Sequence, residues 1–199
     1  MKKLIKENFS SENLFEKFNL LTESEINRIT LGIDWTNKNY PEAVIIGGTA
    51  LIYYLSSSRD LTPDLDYMVG NITYIKTMLD KNKIQYSTIN SGTNSNLGIS
   101  VEKFNTDYLD SNIGNIALNK LILKNYNEGL INGRKCKIVV PELLTIMKFE
   151  ISRNKDQDDS FALLASGKLN KNKYLNFLSQ LKNTLNEYEA LISYTEMIK

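Results

Sequence analysis

The stretch that decides the fold is Val44–Val69, VIIGGTALIYYLSSSRDLTPDLDYMV. It begins with an apolar run of strand length that ends in Gly47-Gly48. Thr49 then opens TALIYYLSSS, which has helical spacing. DLDYMVG reads as a second strand. Side chains alternate faces along a strand, so Asp64 and Asp66 point the same way. Two carboxylates on one face repel each other unless a cation sits between them. Mg2+ suits such a pair, because it takes oxygen ligands and keeps positions open for phosphates. The plainer reading is a solvated strand end. Gly47 and Gly48 let the backbone approach a ligand closely, and the helix that follows offers unpaired N–H groups at its positive end. The Thr49 hydroxyl is able to donate to a phosphate oxygen. Alone, the glycines also fit a tight strand-to-helix turn. No Gly-Lys-Ser/Thr follows, which excludes a Walker A loop. An EF-hand is excluded as well, since Ile75 stands where the bidentate glutamate belongs.

Working outward, Ser10-Ser11 ahead of ENLFEKFNLL reads as a short capped helix. Thr22 and Glu25 form a capping-box pattern before a second helix, which Pro41 stops. Downstream, ITYIKTMLDKNK is an amphipathic helix. IQYSTIN and LGISVEKF read as two strands joined by the loop SGTNSN. Asn115–Leu130 fits helix or strand. RKCKIVV is a strand, and Pro141 sits where a helix begins. Everything after Pro141 reads as helical: ELLTIMKFEISRN, DQDDSFALLAS, then one long helix from Lys171. Tyr174, Leu178, Leu181, Leu185, Tyr188 and Ile192 give that helix a single apolar stripe, expected to pack on its own domain. The expected class is α+β, a small mixed sheet flanked by helices. Helices over residues 1–40 pack on an α/β core over 41–140, and a helical part covers 141–199.

Composition narrows the chemistry. The chain of 199 residues is long enough for one domain with a proper core. Its net charge of +1 favours neither nucleic acid nor acidic lipid in bulk. The single cysteine, Cys136, cannot form an internal disulfide, which fits a reducing compartment. No apolar run is long enough to span a bilayer and no signal-like segment follows Met1, so the expectation is a cytoplasmic protein with no membrane partner. There are no histidines. That excludes a Ser-His-Asp triad, HExxH hydrolysis and any histidine general base. An enzyme with this composition works through carboxylates, lysines, hydroxyls or bound metal.

Strand, Gly47-Gly48-Thr49, helix, then Arg59, Thr62 and Asp64-Leu65-Asp66 resembles the signature of the polymerase-β-like nucleotidyltransferase superfamily. A second stretch, KIVVPELLTIMKFEISRNKDQDDSFALL, resembles small nucleotidyltransferases of the abortive-infection toxin type, with Lys148, Arg153, Lys155, Asp156 and Asp159 at matching spacing. The resemblance covers Ala43–Leu164. It implies transfer of a nucleoside monophosphate from an NTP to an acceptor hydroxyl on RNA (such as a tRNA end), a protein or a small molecule. It further implies two Mg2+ (or Mn2+) ions held by Asp64, Asp66 and a third acid on a later strand. LGISVEKFNTD offers Glu102, flanked by apolar Val101 and Phe104 as an inward-facing acid would be, with Asp107 just beyond. Glu102 is taken as the third metal ligand and as the group that helps deprotonate the acceptor. Gly47, Gly48, Thr49, Arg59 and Thr62 are expected to hold the nucleotide. Lys148 is expected to neutralise the triphosphate with Arg153 or Lys155, and Asp156 and Asp159 to orient these cations. A toxin with an antitoxin protein as partner is the biological role that goes with the resemblance. A fold of this kind kept as a binding or structural module without catalysis is the alternative.

Overall fold

The computed structural model describes residues 22–55, 64–90, 96–151 and 153–198. The apolar run before the paired glycines becomes β1 (Val44–Ile46), three fully buried β-branched residues. Such side chains favour extended backbone and pack well between two covered faces. β2 (Leu65–Val69) lies antiparallel to β1, with Ile46 opposite Asp66. β5 (Thr106–Asp110) runs parallel to β2, and this ladder sets Asp66 beside Asp107. β4 (Asn96–Val101) and β3 (Ser87–Asn90) extend the sheet antiparallel beyond β5. On the other side β7 (Arg134–Val139) pairs parallel with β1, and β6 (Tyr126–Ile131) closes that edge. The mixed seven-stranded sheet has the order β3-β4-β5-β2-β1-β7-β6.

Helices cover it. α1 (Glu23–Asn39) starts at the capping box of Thr22 and Glu25, in which each side chain satisfies the other's backbone N–H. α2 (Gly47–Leu55) follows β1 with no intervening loop, and α3 (Ile72–Lys81) follows β2 behind an Asn71 cap. Asn115–Leu130, which the sequence leaves between helix and strand, divides. Asn115 caps α4 (Ile116–Lys124), and β6 begins two residues after that helix ends. α5 (Pro141–Ile151) opens on its proline, and every residue from Pro141 to Phe149 is buried. It is an interior helix touching α2, α4, α6 (Asn154–Ala165) and α7 (Lys171–Leu181). One hydrophobic cluster runs from Ile29 and Ile33 of α1 through the strands to Leu181 and Leu191.

Two expectations need correction. LGISVEKFNTD does not remain one strand. β4 ends at Val101, a short 3-10 turn spans Glu102–Phe104, Asn105 turns the chain at φ 50°, and β5 starts at Thr106. The long helix from Lys171 breaks after Leu181 and resumes as α8 (Tyr188–Ser193). Asn183, Thr184 and Asn186 are poor helix formers, and tertiary hydrogen bonds claim the break. Asn115 Nδ2 donates to the Thr184 carbonyl at 2.8 Å, and the Glu150 carboxylate accepts from Glu187 N at 3.0 Å and Asn186 Nδ2 at 3.3 Å. Much of the stripe is still inward, with Tyr174, Leu178, Leu181 and Leu185 buried. The expected helix after Ser10-Ser11 lies outside the described residues. Among the described residues no helix is long and apolar enough to cross a membrane.

Candidate active site

A cleft of about 570 Å³ opens where the start of α2, strands β2 and β5, and helices α4, α5 and α6 converge. Its floor comes from one face of the sheet, because residues in register across a parallel ladder project together. Asp66 and Met68 of β2 stand beside Asp107 and Leu109 of β5, and all four line the cleft. Tyr67 and Tyr108 point the other way. Their rings stack at 5.6 Å, Trp35 of α1 packs edge-on against Tyr108, and Thr36 of α1 shares a 2.6 Å hydrogen bond with the Tyr108 hydroxyl.

Gly47 is fixed by close approach. Its φ is +66°, and a Cβ there would lie 1.9 Å from Asp66 Oδ2. Only glycine accepts that backbone with a carboxylate pressed against it. The Gly48 N–H donates to the same carboxylate. Thr49 is buried, and its hydroxyl donates to the Asp64 carbonyl at 2.9 Å. This differs from the expected phosphate contact. The hydroxyl ties the start of α2 to the entry of β2, so the two halves of the opening motif are hydrogen-bonded to each other.

Asp64, Asp66 and Asp107 share the cleft wall. Burial pushes the Asp66 carboxyl up to about 7, and the negative charges of Asp64 and Asp107 add to the rise, against Lys148 and the Gly48 N–H. Asp107 is also raised, by burial first and by Asp64. The Ser100 hydroxyl, opposite it on β4, hydrogen-bonds it and limits the rise. Glu102 is not part of this group. It lies exposed in the 3-10 turn and does not line the cleft, and its backbone carbonyl accepts from the Arg28 guanidinium. The apolar neighbours that make Glu102 look inward have other duties. Val101 ends β4, and Phe104 packs on Trp35. The register position beside Asp66 belongs to Asp107, which the alternation of Thr106-Asp107-Tyr108-Leu109 marks once Asn105 is read as a turn.

The cationic wall is an ion-pair network. Lys148 is 3% exposed, with Nζ 2.9 Å from Asp156 Oδ1 and 2.8 Å from Asp159 Oδ2. Arg153, with a side chain 64% exposed, places Nε 2.5 Å from Asp156 Oδ2. Burial opposes ionisation of Asp156, but the hydrogen bonds from Lys148 and Arg153 outweigh it and hold this carboxyl below its ordinary range. Lys148, Arg153 and the exposed Lys155 all line the cleft. Arg59 and Thr62 fall outside the described residues. Sequence reasoning missed the far wall, where Asp110, Asn115, Asn119, Glu150 and Asn186 line the cleft. Asn115 is legible as a cap ahead of a helical pattern, whereas Glu150 and Asn186 meet only through the break after α7.

Among the described residues no three acidic side chains close into a ready-made metal cage. An all-oxygen set on one wall still fits a hard cation that keeps waters and phosphates as its remaining ligands. The charge crowding around Asp66 is what such an ion would relieve.

The fold has solved counterparts. The crystal structure of an antigenic nucleotidyltransferase-like protein from Paracoccidioides brasiliensis matches with a TM-score of 0.52 at 14% identity, over 88% of this chain and 94% of that one. This is a likeness of fold. No curated protein matches the chain. The model of the family described as "Nucleotidyl transferase of unknown function (DUF2204)" matches residues 37–191, and the chain belongs to that family.

Proposed function

We propose that the protein transfers a nucleoside monophosphate from an NTP to an acceptor hydroxyl and releases pyrophosphate. The observation that carries this reading is the crowding of Asp64 and Asp107 around Asp66, directly beside the Gly47-Gly48 turn at the start of α2. Asp64, Asp66 and Asp107 would hold the divalent cation, Mg2+ or Mn2+. When bound, it neutralises charge on the reacting phosphates. The acceptor oxygen forms a bond to the α-phosphorus, and the bond from that phosphorus to the α–β bridging oxygen breaks. Pyrophosphate leaves with the bonding pair, and the acceptor's proton passes to the Asp107 carboxylate, which stands in register beside Asp66. The first turn of α2 directs its positive end at the phosphates. Arg153 and Lys155 add positive charge at the cleft wall. Lys148 is already balanced by Asp156 and Asp159, so it acts at short range on Asp66 and on the packing of α6. A cytoplasmic setting accords with this reading, since the lone Cys136 is a free, buried thiol.

Incubation with each α-labelled NTP, Mg2+ or Mn2+, and total RNA, lysate protein or small-molecule extract tests the proposal. Label should move to one of these fractions with release of pyrophosphate, and the labelled fraction identifies the acceptor. Labelled RNA from a chain that arrests growth, relieved by a neighbouring protein, would establish the toxin role. No label in any fraction with either metal refutes catalysis. One observation favours the second reading, a nucleotide-binding module without transfer: the carboxylates do not form a closed cage among the described residues. Metal-dependent NTP binding without pyrophosphate release would select it.

A further inference from the structure

Beyond the carboxylates the cleft becomes an apolar slot. Met68 and Leu109 are paired across β2 and β5 two residues past Asp66 and Asp107, on the same face. At roughly 3.3 Å per strand residue, the slot begins about 7 Å from the carboxylates. Leu97, Ile113 and Leu118 line it as well. Apolar walls with a few placed polar groups suit a heteroaromatic ring. Among these groups, which include Asp110 and Asn115, the most buried is Asn119, 9% exposed. Its Nδ2 donates to the Ile113 carbonyl at 2.8 Å and, more weakly, to the Ser111 carbonyl at 3.4 Å. Both amide protons are thus spent, and these bonds fix which way the amide faces. Oδ1 has no hydrogen-bond partner among the described residues. Asn115, at the same end, accepts from the Leu118 N–H through Oδ1 and donates one amide proton to the Thr184 carbonyl. The slot therefore offers a ligand a fixed acceptor from Asn119.

We propose that this slot takes the base of the NTP and that Asn119 Oδ1 reads it, selecting bases that present an amino group there. Adenine and cytosine carry a donor at the 6- and 4-positions, and hypoxanthine and uracil carry a carbonyl acceptor. A carbonyl placed against Oδ1 faces acceptor with acceptor and leaves a nearly buried oxygen unpaired. This inference rests on the nucleotide reading above.

Titration calorimetry of the full chain with ATP, ITP, CTP and UTP, each with Mg2+, tests it. ATP should bind at least about tenfold more tightly than ITP, and CTP than UTP, because a site built for a donor rejects the analogue lacking one. ATP and ITP differ in the 6-substituent that Asn119 reads and in the proton on the neighbouring N1, so the Asn119 variant is needed to assign the difference. In Asn119→Ala the ATP-to-ITP ratio should fall towards one, whatever happens to overall affinity. Equal binding of ATP and ITP by the unaltered protein overturns the base assignment and leaves the nucleotide reading standing. Absence of binding by all four overturns both. A ratio unchanged in a folded Asn119→Ala removes Asn119 from the role.

Discussion

Neutralising Asp66 should make the metal-free protein more stable. In the folded chain its carboxyl is raised from the ordinary 3.8 to about 7, by burial and by the charges of Asp64 and Asp107. In the unfolded chain it returns to its ordinary value. Between those values the folded state binds a proton that the unfolded state has released, so stability falls as pH rises from about 4 to about 7 and levels off above. Each pH unit of difference is worth about 1.4 kcal/mol, which makes the full loss roughly 4 kcal/mol. Asp66→Asn removes the charge and keeps an acceptor for the Gly48 N–H. Because the new amide protons need partners of their own, about 2 kcal/mol of net gain is the expectation at about pH 8. Urea unfolding in EDTA, run on both proteins across that range, is the assay. The curves should cross between about pH 5 and 6, with the original protein the more stable below and the variant on top above. Added Mg2+ should then stabilise the original protein and leave the variant unmoved, since a ligand that binds only the folded state raises its stability. A variant no more stable at high pH, or a gap independent of pH, would show that the carboxylates are not crowded in the way described.

Other substitutions separate the parts. Lys148→Met removes the buried cation shared by Asp156 and Asp159, and urea unfolding should show a loss of about 3–5 kcal/mol. A loss below about 1 kcal/mol would mean the network is not buried as a unit. Gly47→Ala forces a side chain into left-handed backbone against Asp66 and should cost about 1–3 kcal/mol while removing nucleotide transfer. Retained transfer would show that Asp66 has room to retreat. Asp107→Asn should abolish labelling, and Glu102→Gln should leave it near the original rate. The opposite pair of results would return the third acid to Glu102.

Legibility in the sequence followed the range of the forces involved. The capping box at Thr22, the strand ending in Gly47-Gly48 and the pairing of Asp64 with Asp66 are written in neighbouring residues, and local chemistry decides them. Asp107 depends on a turn only four residues long, residues 102–105, in which Asn105 adopts a left-handed conformation. Local apolar neighbours point to Glu102 instead, because Phe104 is buried for the sake of Trp35 on α1, far away in the chain. The break after Leu181 is similarly non-local. Its stripe reads as one helix, but the hydrogen-bonding groups that stabilise the break sit on Asn115 and Glu150. The pairing of Lys148 with Asp156 and Asp159 is legible from their spacing, but its burial is not, since it arises only once α6 folds back on α5.

The alignment of Asp107 beside Asp66 also bears on how the sheet assembles. A slip of β5 by a single residue would exchange its two faces, sending Asp107 under α1 into the aromatic layer of Trp35 and Tyr67 and bringing Tyr108 into the cleft. An ionised carboxylate in that layer is prohibitively costly. The acid thus acts as a proofreader of strand pairing, rejecting odd-numbered misalignments before any substrate is met. Uncharged replacements at this position give up that safeguard, and their folding kinetics should reveal mispaired species that the charged chain does not populate.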